Sequence, residues 1–178
     1  MLPILNNRIS NNTLLAVDVK SAARQCRLTS DDLKDVDVAE ALSNAMYSAQ
    51  AYLEANYSVV FGSNTFLATW KAEDNKLFHF SIANVTEVKS VALSENALGP
   101  VYNFYKSNTH AYIELASTVS GTLYVEYTAG FGHTEDVPQN VKQAVLMLTS
   151  YYFDNRTDTG NTSHKAVDAL MLPYKKLF

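Results

Sequence analysis

With 178 residues, 47% of them apolar and 11% aromatic, the chain has an ordinary globular composition and suits one domain, or a helical domain carrying a β insertion. A net charge of −4 without any Lys/Arg run argues against tight binding to a phosphate backbone, and the single cysteine, Cys26, excludes an intramolecular disulfide. No stretch approaches the roughly 20 apolar residues of a membrane span, and Met1–Asn7 lacks the basic start of a signal peptide, so the chain reads as intracellular.

Residues 1–14 are asparagine-rich and aperiodic and read as an arm. Asp18 is a candidate cap for a short helix reaching about Arg27, whose apolar set is Val19, Ala22, Ala23 and Cys26. Cys26 therefore reads as a small buried hydrophobe rather than a nucleophile. After the polar turn Thr29–Asp32, a longer helix carries Ala39, Leu42, Ala45, Met46, Ala49 and Leu53 on one side. Asp35, Asp37 and Glu40 in its first turns complement the positive end of the helix dipole, which accounts for this acidic cluster without a metal.

Gly62-Ser63-Asn64 breaks the helix, and the period changes from 3.6 to 2. Phe66, Ala68 and Trp70 alternate with polar neighbours, Ala72–Lys76 reads as a hairpin turn, and Phe78, Phe80 and Ile82 form the next alternating set. Thr86–Leu93, Val101–Tyr105 and Tyr112–Leu115 read as strands. The last strand places Leu123, Val125 and Tyr127 on one face and ends at Gly130-Phe131-Gly132. Pro138 stands where a first helical position is expected. The stripe that follows is Val141, Ala144, Val145, Leu148, Tyr151 and Tyr152. After the polar loop Thr157–Ser163, a short helix over about Lys165–Leu172 stops at Pro173, so that Tyr174–Phe178 should leave it as an extended tail.

The histidines His79, His110, His133 and His164 share no metal-ligand spacing, and G-x-S-x-G is absent. His79, between Phe78 and Phe80, should lie on the exposed strand face. His133 sits beside Glu135 and Asp136 but has no nucleophile motif to serve. Gly130-x-Gly132 lacks the third glycine and the Lys-Ser/Thr pair of a phosphate cradle. Catalytic, cofactor and metal residues are therefore all read as none. Tyr151, Tyr152 and Phe153 are consecutive aromatics: either their helix is packed on several sides, or one of them meets a neighbouring subunit, which makes them a candidate subunit interface. Leu177-Phe178 either folds back on the core or belongs to an arm that docks into another protein.

The strand Val125–Thr128 running into Ala129-Gly130-Phe131, the start at Val137-Pro138, the run Lys142–Leu148, then Tyr151-Tyr152 with Asn155-Arg156, and the closing Ala166–Tyr174 together resemble the head-tail connector (adaptor) family of long-tailed phages. The resemblance covers roughly residues 17–174. It departs from the family pattern at Leu15–Lys20, which lacks the expected proline, and at Thr157, where an acidic residue often follows Asn-Arg.

The resemblance implies an α+β, mainly helical fold: a helical bundle with an inserted antiparallel β section. Residues 1–14 would be the arm, and 15–178 a single connector domain with helices in 18–62, the β section in 64–130, C-terminal helices in 138–172 and a tail in 173–178. It implies a structural virion protein and no enzyme, forming a ring of about a dozen copies under closed cyclic symmetry. The ring would join the portal to the tail and continue the DNA channel. Expected partners are the portal, a downstream stopper or tail protein, and double-stranded DNA that passes without sequence-specific binding; no membrane is involved. The expected location is the virion neck, with assembly in the host cytoplasm. Tyr174, Lys175, Lys176, Leu177 and Phe178 would form the portal-docking arm. Competing readings are another neck or tail-completion protein, and a small bacterial enzyme or ligand-binding domain.

Overall fold

The alternation through Phe66, Ala68, Trp70 and Ala72 builds β2 (Asn64–His79), and all four side chains are buried. Its partner β5 (Ala111–Ala129) buries Ile113, Leu115, Leu123, Val125 and Tyr127 on the same side. These long antiparallel strands lie at the centre of a five-stranded sheet. β1 (Leu5–Arg8) pairs with β2 on one side. β3 (Val85–Leu93) and β4 (Tyr102–Lys106) pair with β5 on the other. The computed structural model describes residues 1–94, 99–107, 109–155 and 164–175. They divide into two units, one of Met1–Thr13 with Ser58–Gly132, the other of Leu14–Tyr57 with the described residues from His133 onward.

Mainly helical is the wrong description. The chain is 37% helical and 34% strand, with a large antiparallel sheet, so α+β holds and the emphasis does not. The cause lies in how the strands turn corners. Ala72–Lys76, read as a hairpin turn, is an irregularity inside β2: Asp74 takes a φ of +57°, and the Asn75 side chain accepts the Glu73 amide at 2.9 Å. Gly121, at φ +119°, lets β5 bend opposite it. Tyr112–Leu115 and the strand ending at Gly130 are thus parts of one element. Bent in this way, the sheet brings the rings of Phe78 and Phe80 to 5.9 and 5.7 Å from Trp70. Phe80 also meets Tyr127 at 4.5 Å. The stretch read as an arm contains β1, tied down by Asn6 Nδ2 to Ser81 Oγ and by the Tyr127 hydroxyl, which donates to Asn6 Oδ1, both at 2.9 Å.

At the end of β5 Gly130 is obligatory. Its φ is +121°, and a Cβ there would stand 1.8 Å from the Gly62 carbonyl oxygen. Its amide donates to the Asn84 carbonyl at 3.0 Å, while the Asn84 side chain grips both polar backbone groups of Val60.

The second unit is helical. Asp18 caps α1 (Val19–Gln25) by accepting the Ser21 amide at 2.8 Å. α2 (Val36–Asn56), capped by Asp35, buries Leu42, Ala45, Met46, Ala49 and Leu53 and ends before the glycine break. Gln50 is buried with them: it accepts the Ala16 amide and donates to the Leu14 carbonyl, each at 2.8 Å, fixing the segment ahead of α1. α3 (Gln139–Asp154) follows Pro138, which is its cap rather than its first residue. Val141, Ala144, Val145 and Leu148 on α3 are fully buried, and the helix packs against α1, α2 and α4 (Lys165–Met171). A 3-10 turn, Leu172–Tyr174, continues from α4.

Candidate partner-binding surfaces

In the helical unit, helix periodicity carries Tyr151 and Tyr152 to the last turn of α3, where His164 meets both. The ring of His164 lies edge-on to Tyr151 at 4.6 Å, to Tyr52 of α2 at 5.5 Å and to Tyr152 at 6.3 Å. The Nε2 atom of His164 is buried and has no hydrogen-bond partner among the described residues. Tyr151, Tyr152 and Phe153 are all half-buried. Asn155 closes α3 by donating its side-chain amide to the Tyr151 carbonyl at 2.9 Å, while Arg156 and the loop 157–163 lie outside the described residues.

One turn away, Tyr57 at the end of α2 donates its hydroxyl to the Asp168 carboxylate of α4 in a short hydrogen bond. Burial raises the Tyr57 phenol well above its ordinary value, and the bond to Asp168 raises it further. Tyr52 is also raised, by burial and then by the Asp168 charge. The backbone of Tyr57 forms an antiparallel bridge with Lys175. Tyr52, Asn56, Tyr57, Asp168, Leu172 and Lys175 surround a cleft of about 350 Å³.

These contacts change the picture of the tail. Tyr174 does not leave as extended chain: it lies in the 3-10 turn, 5% exposed, its phenol raised by burial. Lys175 is held by the bridge to Tyr57. Lys176, Leu177 and Phe178, the rest of the candidate arm, lie outside the described residues. Tyr52, Tyr57, His164 and Asp168 escaped the sequence reading because they sit far apart in the chain. The tyrosine pair near the end of an apolar-striped helix marks only Tyr151 and Tyr152.

His79 is exposed, as expected, with its imidazole depressed first by burial and then by the neighbouring Met1 ammonium and His110. The His133 amide donates to the Asp136 carboxylate at 3.0 Å, opening a 3-10 turn. Cys26 is half-buried, and burial, then the Asp154 charge, pushes its thiol up, away from the thiolate a nucleophile needs. Among the described residues no three His, Cys, Asp or Glu side chains gather as metal ligands, and no helix is long and apolar enough to cross a membrane.

A sequence family described as "HCP: Head completion protein" matches residues 21–166. No curated protein matches significantly. Among solved structures, a chain in the neck of an empty GTA particle computed with C6 symmetry is 21% identical, with a TM-score of 0.76, over 98% of this chain and 97% of that one. A chain in the virion of a native gene transfer agent (GTA) particle gives the same identity, coverage and TM-score. A chain in the neck of the native GTA particle computed with C12 symmetry, also 21% identical with the same coverage, gives 0.69.

Proposed function

The chain belongs to the head completion protein family, and on that premise we propose that it is a structural protein of a phage-type neck, assembled as a closed ring that joins the portal to the tail. The observation that carries this reading is the family match over most of the chain, with fold likeness to neck chains of GTA particles along nearly the whole length of both partners. A cyclic ring repeats one heterologous contact, and the neck structures computed with C6 and C12 symmetry are consistent with such repetition. The negative net charge suits a channel through which DNA slides, since clustered cations would hold phosphate. In this reading the protein works by binding and positioning and catalyses no reaction; its downstream neighbour is a stopper or tail protein, and it is built in the host cytoplasm.

Docking to the portal is assigned to Tyr174–Phe178, with Tyr174 and Lys175 as the anchored root and Leu177 and Phe178 as the apolar residues to be buried in the partner. Each Å² of apolar surface removed from water contributes about 25 cal/mol, and repetition around a ring raises the effective concentration of every arm. Tyr151–Phe153, at the end of α3, are assigned to the subunit interface. Because Tyr174 is buried, the informative truncation removes Lys176–Phe178 alone. The truncated protein should melt as the wild type does and fail to co-sediment with portal-bearing heads. Full occupancy on heads would remove the arm from the account.

A further inference from the structure

The sheet unit ties down its lysines, and the first helix of the other unit leaves its cations free. Lys71, Lys76 and Lys89 stand against Glu73, Glu114 and Glu126, and Lys106 Nζ donates to the Thr86 carbonyl at 3.0 Å. On α1 and at its end, Lys20, Arg24 and Arg27 are exposed and form no ion pair among the described residues. The carboxylates nearest in sequence are engaged elsewhere. Asp18 accepts the Ser21 amide and hydroxyl, Asp31 pairs with Lys34, Asp32 accepts the Thr29 amide, and Asp35 accepts the Asp37 amide.

These cations are presented rigidly. Ala22 and Ala23 seat α1 by burial, and Asp18 caps its start. At its finish the Arg27 amide donates to the Arg24 carbonyl at 3.1 Å and the Leu28 amide to the Ala23 carbonyl at 2.9 Å. That helix ending puts the residue just past the helix at positive φ, a position glycine usually fills. Here it is an arginine, at φ +59°. Glycine would end the helix as well and without strain, so the side chain of Arg27 is kept against a conformational cost.

A row of fixed cations without counter-ions is complementary to a line of anions. Lys20 and Arg24 are one turn apart, about 6 Å along the axis, and Arg27 follows at the helix end. Duplex DNA carries a phosphate about every 3.4 Å along each strand, so each cation of the row has a phosphate within reach. Arginine adds a planar fork that grips two phosphate oxygens at once. Between the cations stand Ser21 and Gln25, with no aromatic anchor of the kind that dominates protein interfaces. We propose that Lys20, Arg24 and Arg27 are the surface through which this chain touches duplex DNA. The inference rests on the neck reading above and deepens it by naming the residues that meet the passing duplex. Three contacts per copy exchange readily: the affinity falls about 40-fold between about 50 and 200 mM salt, so the DNA is guided and not held.

The test measures binding of full-length protein to a short fluorescent DNA duplex across a salt series, with rings on portal-bearing heads followed by electron microscopy. The wild type should bind with a slope of log affinity on log salt near about −2.7 per copy. Lys20→Gln, Arg24→Gln and Arg27→Gly should each reduce that slope by about one, and Lys71→Gln, at a paired lysine of the sheet unit, should leave it unchanged. Arg27→Gly separates binding from folding: it should melt at or above the wild-type temperature while losing affinity for the duplex. The triple variant should still form rings on heads. A wild type without salt-dependent binding, or a triple variant with the wild-type slope, overturns the inference and leaves the neck reading intact. Loss of the ring from the triple variant with its slope unchanged would mean that an acidic protein surface covers the row, and equally overturns it. Absence of the wild-type ring from heads removes the neck reading and, with it, the place of the row beside passing DNA.

Discussion

The helical unit and the sheet unit are held together by different kinds of information. In α3 a stripe at spacings of three and four fills one continuous face from Val141 to Leu148, and the pattern that marks this face is complete within about two turns. In β2 and β5 the burial of Trp70 depends on Leu123, Phe78 and Phe80, the first of them more than fifty positions away. Local patterning suffices for the first, whereas long-range register decides the second. The helical unit also gathers Tyr52, Tyr57, Tyr151 and Tyr152 around His164 and Asp168, while the exposed large apolar residues of the sheet unit fall in Met1–Ile9, at Leu77 and in Val101–Tyr105 among the described residues.

The sharpest way to break that comparison is to empty one core at a time. Trp70→Ala should cost about 3–5 kcal/mol and Leu148→Ala about 2–5 kcal/mol. Amide hydrogen exchange should accelerate mainly in β2 and β5 for the first and in α2 and α3 for the second. Equal loosening of both units by either variant would mean that they share one cooperative core.

Two glycines sharpen the role of long-range register. Gly121 and Gly130 both have positive φ, so alanine at either carries backbone strain of about 1–3 kcal/mol. At Gly121 an added Cβ meets nothing within 4 Å, but at Gly130 it strikes the Gly62 carbonyl. Gly130→Ala should therefore lower the melting temperature clearly more than Gly121→Ala. Equal losses would mean that the close approach of Gly62 and Gly130 relaxes without cost.

Smaller effects come from one buried phenol in each unit. Tyr57→Phe removes the bond to the Asp168 carboxylate, worth about 1.5–3 kcal/mol, and Tyr127→Phe the bond to the neutral Asn6 amide, worth about 0.5–1.5 kcal/mol. Both phenols are raised, chiefly by burial, above the ordinary value of 10.0. The unfolded chain therefore loses these protons first, so stability is constant below about pH 10 and falls as pH rises beyond it. Each phenylalanine variant should flatten that alkaline loss, as read from denaturant midpoints across pH. An unchanged slope would mean that the phenol ionises as easily in the fold as outside it.

The smallest effect is expected at the surface. Lys76 and Glu114 pair at 2.9 Å but are 45% and 32% exposed, so Lys76→Ala should cost no more than about 1 kcal/mol and lose that effect at high salt. A larger, salt-insensitive loss would place the pair in the structural frame of the bend.

The same contrast explains what was legible in the sequence. The cap Asp18, the stripes of α2 and α3 and the glycine end of β5 carry local signatures, and the structure has them where the pattern puts them, whereas Asp35, read as part of the first turns of α2, is its cap. The long strands were cut short because Asp74 and Asn75 look like turn residues. Here they take up a kink while β5 continues to offer hydrogen bonds. β1 was unreadable because Asn6 and Asn7 lack strand character, and its place is set by contacts to Ser81 and Tyr127. Gln50 lies on an apolar stripe for a reason visible only when Leu14 and Ala16 are seen beside it. Of the candidate surfaces, Tyr151 and Tyr152 could be named from helix spacing, but their meeting with Tyr52 and His164 could not.

The central claim is that the protein is a ring-forming structural component of a particle's neck. Cryo-electron microscopy of intact particles, with this chain marked by a small density tag in an exposed loop, tests it most directly. The account predicts tag density in one closed ring between portal and tail. Particles that are complete without the chain, or tag density elsewhere in the particle, would contradict it.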